Sequence, residues 1–434
     1  MTRSGLCTAV LWLLIITIVA MSQVAINRNN NDIQHDDAAL DLQIQISAKY
    51  FVGIKQLAGQ NPLLQKRVSE LAKEIQDYQI YKKQLSTIPV FAEFFGRGAA
   101  LQEIKRMMND PDGAPDPRDL QIFYRLYHDG SGSLDSEQII TLKGYGWAGR
   151  LALSQDKPDS DPERAKALKS ATRTVLLSGL GTIVLIAALV TGLILLIIAL
   201  TRMIKKDIHS QLVIQDASGI LLLETFTIYL ILTMAMPLLI TLIAPDLQDG
   251  TILMTILAGL ISILWPSLRG TGWEDYRTAF GWNRGKGLFR EIGAGVVGFI
   301  AGLPLLGAAF IIVMILVKYA GNTPSHPAVT DLIHSPFFLF FLACIYAPLV
   351  EETLFRGALY YYLRRHLPWA ASGILCGLIF GALHPQGWVA LPAITAIGFN
   401  LSVIREWRGS VIASITAHAL NNGVVTLMLV IAVS

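Results

Sequence analysis

The chain has 434 residues, 53% of them hydrophobic and 15% charged, with a formal net charge of +3. This composition excludes an ordinary soluble globular protein, and the charge is too small to indicate a nucleic-acid partner. It describes a polytopic membrane protein with an extra soluble piece. Cys7, Cys344 and Cys376 lie far apart in apolar stretches, so neither a disulfide framework nor a zinc-ribbon spacing is present.

Residues 1–26 read as a membrane anchor. Leu6 to Met21 is apolar and follows Arg3, and Ala20-Met21-Ser22 offers a small-x-small site at which a signal peptide could be cleaved. Val24, Ala25 and Ile26 extend the apolar run past that site towards a spanning length. The preferred reading is an uncleaved anchor with its N-terminus in the cytoplasm. On either reading the following segment is exported.

Residues 27–172 have the composition of a soluble helical domain. Leu64, Val68, Leu71, Ile75, Tyr78 and Leu85 follow a 4-3-4-3-7 spacing, which predicts an amphipathic helix with a coiled-coil-like seam. The turn-rich break Asn109–Pro117 precedes a second predicted helix from Asp119 to Tyr127. Asp129-Gly-Ser-Gly-Ser-Leu-Asp135 resembles the middle of a calcium-binding EF-hand loop. Its first and twelfth ligand positions would be Tyr127 and Gln138, where an acid and a bidentate glutamate are required. A helix–loop–helix that binds no ion is therefore expected. Ser154 to Arg164 reads as a linker.

Eight more hydrophobic segments follow, at 175–200, 219–244, 251–268, 292–317, 336–355, 369–383, 388–404 and 410–433. Basic clusters alternate with loops poor in Lys and Arg. Arg202, Lys205 and Lys206 form the first cluster, and Arg277, Arg284, Lys286 and Arg290 the second. Arg364 with Arg365, then Arg405 with Arg408, form the last two. The loops 245–250 and 318–335 carry almost no basic residues. The positive-inside rule puts every basic cluster in the cytoplasm and the 27–172 domain outside. The expected fold is thus all-α and polytopic, with about nine transmembrane helices and an N-terminal helical extracytoplasmic domain. Residues 173–335 supply the spans that precede a core at 336–434. The 369–383 segment is short for a hydrocarbon layer of ~30 Å and reads as a half-helix.

Polar residues inside that core mark the chemistry. Glu351 and Glu352 appear together within an apolar run, and ionised groups at membrane depth are usually paired, cavity-facing and functional. Glu352 and Arg356 stand at i and i+4 with the acid first, the favourable order for an ion pair. Glu351 lies about 100° round the helix and is left for chemistry. Phe380 and His384 end the seventh segment, and Pro385 and Gly387 after them break the helix. Irregular backbone at this depth needs burial or a cavity. His418 and Asn422, at i and i+4, share one face of the last helix. Glu224 lies in the third span with no basic partner in its own helix, and Trp273–Arg290 reads as an aromatic, basic interfacial anchor.

Glu351-Glu352-x-x-x-Arg356, Phe380-x-x-x-His384 and His418-x-x-x-Asn422, in this order on separate hydrophobic segments, resemble the CPBP (ABI) intramembrane protease family. That family includes CAAX prenyl endopeptidases and bacterial bacteriocin-processing or self-immunity proteins. The resemblance implies a general base at Glu351 that activates water with help from His384, and oxyanion donors at His418 and Asn422. It implies structural support from Glu352, Arg356 and Phe380. The expected partners are the lipid bilayer and a membrane-associated protein or peptide substrate, prenylated or CAAX-like, in a bacterial inner membrane. No cofactor is expected. A zinc site built from Glu351, His384 and His418 is the competing view, disfavoured because Asn422 is a poor zinc ligand and no His-Glu-x-x-His occurs. A non-catalytic immunity or partner-sequestering protein, and a proton-coupled transporter using Glu224 and Glu351, are the rival functions. Neither needs a free base beside an oxyanion pair.

Overall fold

In hydrocarbon, every backbone N–H and C=O of a lone apolar segment must be satisfied within that segment, and a helix does this. The computed structural model describes residues 3–33, 37–59, 61–77, 84–110, 115–214, 219–243, 250–320 and 336–433. All regular elements among them are helical. The lysine- and arginine-poor loops fall largely outside the described residues, as do Tyr78 and the centre of the 109–117 break. The chain divides into two compact units. One comprises Met1–His35 with Ile186–Leu427, the other Asp36–Leu185 with Met428–Ser434.

The second unit holds α2 (Asp37–Ala58), α3 (Pro62–Asp77), α4 (Ile88–Phe95), α5 (Arg97–Met108), α6 (Pro117–Asp129), α7 (Ser136–Gly144), α8 (Gly146–Leu153) and the first part of α9 (Pro162–Ile204). Leu71 and Ile75 of the predicted seam are buried, but the seam ends with α3: Leu85 belongs to a separate short turn before α4. The EF-hand-like stretch links α6 to α7. Tyr127, at the missing first ligand position, is buried in the core, and Gln138, at the twelfth, closes a capping box with Asp135. Both positions therefore serve packing and capping rather than coordination. The loop itself is tied to Asp156, which accepts from the Ser131 N–H at 2.8 Å and from its hydroxyl. The stretch read as a linker ends early. α9 starts at Pro162, and Arg164 pairs with Glu93 at 2.8 Å while Ala167, Leu168 and Ala171 join a core cluster.

Each of the nine hydrophobic segments forms a helix over most of its described residues, and most of them belong to the first unit. Among the described residues, six helices are long and apolar enough to cross a membrane, by length and composition. They are α1 (Arg3–Ile33), α9, α10 (Gly219–Ile243), α13 (Leu288–Ala320), α14 (Phe337–Arg364) and α17 (Val411–Val433). The shorter ones are α11 (Gly250–Leu268), α15 (Trp369–Ala382) and α16 (Leu391–Arg408). At 14 residues, α15 is ~21 Å long and cannot cross a ~30 Å layer. Its Gly377 meets Gly398 of α16 so closely that a Cβ on Gly398 would lie 2.7 Å from the Gly377 Cα. Small residues at such a contact let backbones approach without lipid between them. α16 ends at Gly409, whose left-handed φ of 66° and close approach to the Gln211 carbonyl both require glycine.

The Trp273–Arg290 region does more than anchor. α12 (Trp273–Phe280) leaves Trp273 exposed but buries Tyr276 and Phe280. The Tyr276 hydroxyl donates to the Ile263 carbonyl, and Trp282 Nε1 donates to Thr353 Oγ1 on α14 at 2.9 Å. Burial pushes the Tyr276 phenol up to about 12. Glu224 finds its cation on the next hairpin, where Arg269 Nε lies 3.6 Å away.

Candidate active site

α14 is an irregular helix. Leu342–Tyr346 and Glu352–Leu359 are π-helical, and the short α-helical piece Ala347–Glu351 joins them. Such segments are rare and recur at functional sites, because the wider turn re-aims side chains. Glu351 ends the α-helical piece and Glu352 opens the second π segment, so the adjacent acids enter different surroundings. Tyr346, in the first π segment, is fixed by donation to the Ile256 carbonyl of α11 at 2.9 Å.

Glu352 is fully buried. Its Oε1 accepts from Arg356 Nη1 at 2.8 Å and from His418 Nδ1 at 2.9 Å. Arg356, also fully buried, donates through Nη2 to the Gly398 carbonyl at 2.9 Å. Its guanidinium lies 4.7 Å from the centre of the Phe380 ring, a cation–π distance. The pairing expected from i,i+4 spacing is present. The sequence did not reveal that Glu352 also holds His418, 66 residues away. Nothing in the local pattern of either helix signals that contact.

This bond decides which nitrogen of His418 does what. A carboxylate can only accept, so His418 Nδ1 carries a proton. Nε2 then accepts when the ring is neutral and donates when it is protonated. That nitrogen lies 3.8 Å from Glu351 Oε2. Glu351 Oε2 is buried and makes no hydrogen bond among the described residues, while the side chain as a whole keeps 23% of its surface exposed. Both acids thus keep an Oε2 without a hydrogen bond among the described residues, and they differ in that Glu352 Oε1 is held by two donors while Glu351 is held by none there.

His384 lies just beyond the C-terminal end of α15. Its Nδ1 is 2.6 Å from the Phe380 carbonyl, which accepts, so Nε2 is the acceptor nitrogen of the neutral ring. Phe380 is buried between the two histidines, with ring centres 4.3 Å from His384 and 5.7 Å from His418. It thus packs both imidazoles and the Arg356 guanidinium at once. Asn422 Nδ2 donates to the Ala343 carbonyl at 2.8 Å, and its Oδ1 accepts from Asn421 at 3.2 Å. These bonds fix the orientation of the amide and leave it one N–H. α14, α15 and α17 thus bring the predicted residues to neighbouring positions. Glu351, Glu352, Arg356, Phe380 and His418 are linked by direct contacts into one cluster, with His384 on Phe380, whereas Asn422 is bonded to the first π segment instead. Among the described residues, no three His, Cys, Asp or Glu side chains are gathered as a metal set.

Residues 333–424, which include all seven of these positions, match the family model described as type II CAAX prenyl endopeptidase Rce1-like. An uncharacterized protein of Bacillus subtilis (strain 168), YpbD, is 40% identical over 72 residues, which make up 16% of this chain. The chain matches 33% of that relative's length. No solved structure matches the chain. The similarity bears out the resemblance read from the three motifs, over the C-terminal segment that carries them.

Proposed function

We propose that this chain is an intramembrane endopeptidase of a bacterial cytoplasmic (inner) membrane. It hydrolyses a peptide bond of a membrane-associated substrate, of the prenylated or CAAX-like class, by a Glu351-activated water. The observation that carries the reading is the division of labour between the adjacent acids. Glu352 is tied through Oε1 to Arg356 and His418, whereas Glu351 has no hydrogen bond among the described residues and stands 3.8 Å from His418 Nε2. A protein that only sequesters a peptide has no use for such a base, and this disfavours the immunity-type alternative.

In the proposed reaction Glu351 takes a proton from water as the oxygen attacks the scissile carbonyl. The His384 Nε2 lone pair helps orient that water. The carbonyl oxygen becomes an oxyanion, stabilised by donors fixed in a site poor in water. His418 in its protonated form offers Nε2–H, and Asn422 offers the N–H that Ala343 does not use. Collapse of the tetrahedral intermediate breaks the C–N bond, and protonated Glu351 returns its proton to the leaving amine. Glu352 acts on the reaction through His418, by holding Nδ1 so that Nε2 faces the site.

The test compares wild type with Glu351→Gln on membrane-proteome substrates and on matched peptides with and without a prenyl group, reading new termini by mass spectrometry. New termini from wild type only are expected. Equal turnover by the Gln variant would remove Glu351 as the base.

A further inference from the structure

The N-terminal helix α1 turns two adjacent polar side chains inward, Ser22 and Gln23. Gln23 is half-buried, and its Nε2 donates to the Ala382 carbonyl, the last residue of α15. Carbonyls in the last turn of a helix have no partner within it. Here Leu383 keeps helical dihedrals as the C-cap and the His384 N–H donates to the Gly381 carbonyl, so that among the described residues no backbone N–H of the following turn reaches Ala382. The acceptor is two residues before His384. The turn that Gln23 holds is thus the turn that aims the imidazole. Other contacts seat α1 firmly: Ile15 is buried, Trp12 packs 6.1 Å from the Tyr362 ring, and the Ser22 hydroxyl contacts Met234 Sδ at 3.4 Å. An anchor needs only an apolar surface towards lipid; none of these directed contacts follows from that role.

We infer that α1 is a working part of the catalytic unit, with Gln23 a positioning residue that sets His384 through the Ala382 carbonyl. The inference rests on the proteolytic reading for its kinetic consequence, but the geometry it asserts stands apart from that reading. α15 is too short to cross a ~30 Å layer, and its half-buried last turn, placed at membrane depth by that length, needs a protein donor in place of interfacial water. α1 supplies the missing donor. Displacing a reacting group by about 1 Å can cost on the order of a hundred-fold in rate, so loss of this bond should be read in turnover more than in substrate binding.

The experiment uses the full chain, purified in detergent, with 15N-labelled histidines. Ring nitrogen shifts report which nitrogen of His384 carries the proton, and the His384 signals are assigned by their loss in His384→Gln. Gln23→Leu removes the donor. Gln23→Asn keeps the amide but shortens it by one methylene, and serves if the Leu variant does not fold. The expected result for both is a His384 signal that departs from the wild-type Nδ1–H form. The same variants should lower kcat roughly ten- to a hundred-fold with KM within about three-fold of wild type. An unchanged His384 signal in the variants overturns the inference, even if their thermal stability falls, because that outcome leaves α1 a packing element only. If wild type cleaves nothing, the proteolytic reading fails, and the ring signals still decide the role of Gln23.

Discussion

Arg356→Met isolates the buried charge cluster on which the site is built. Arg356 and Glu352 are both inaccessible, and Arg356 supplies one of the two donors to Glu352 Oε1. Removing the guanidinium strands a buried carboxylate with the neutral or shared donors His418 and Ser414 as its remaining polar partners. Breaking such a pair from one side costs about 3–5 kcal/mol. The Gly398 carbonyl also loses its donor, which adds about 1 kcal/mol. For a unit of this size each kcal/mol corresponds to roughly 2–4 °C in Tm, so the total of about 4–6 kcal/mol should lower the unfolding midpoint in detergent by about 8–24 °C. Glu352→Gln combined with Arg356→Met removes both charges and keeps an amide oxygen for His418 Nδ1–H. The double variant should therefore recover at least half of the lost stability. Thermal unfolding followed by intrinsic fluorescence on the three purified proteins decides the matter. A double variant no more stable than Arg356→Met alone would refute the account of Glu352 as a charge held by Arg356.

Asn422→Ala should lower kcat roughly a hundred- to a thousand-fold, the usual effect of losing one oxyanion donor, and leave any bound metal unchanged. Metal analysis of active wild type should give far less than one zinc per chain, and stoichiometric zinc lost in both His384→Ala and His418→Ala would establish the metalloprotease alternative. A reporter fused after Lys157 should lie outside the cytoplasm and one after Arg365 inside; a cytoplasmic signal at Lys157 would reverse the orientation drawn from the basic loops. Partial burial pushes the Asp156 carboxyl up, but the Ser131 N–H and hydroxyl, with the charge of Arg97, outweigh it and hold the group below the usual carboxylate range. Its contribution to stability is then present above the unfolded value of about 3.9 and is lost as pH falls through the lower folded value. Asp156→Asn should accordingly lower the thermal midpoint of the full chain at pH 6, with the difference from wild type vanishing near pH 2; a pH-independent difference would disprove the linkage.

The sequence by itself determined every helix that an unbroken apolar run of membrane length demands, because lipid allows a lone segment no other way to satisfy its backbone. It also determined the Glu352–Arg356 pair and the shared face of His418 and Asn422, since both are consequences of helical period along one segment. The end of α15 was legible for a similar reason: Pro385 and Gly387 cannot continue a helix. Only the tertiary structure decided what crosses between segments. It placed His418 Nδ1 on Glu352 and the Arg356 guanidinium against Gly398 and Phe380, and it brought Gln23 to the Ala382 carbonyl. These partners lie tens to hundreds of residues apart, and no periodicity encodes their distance. The π segments were equally hidden, because an apolar run reads the same with a turn of either width. In the soluble unit the seam from Leu64 onward predicted one helix where the chain folds as two elements, since spacing records which face is buried but not where packing against neighbours ends it.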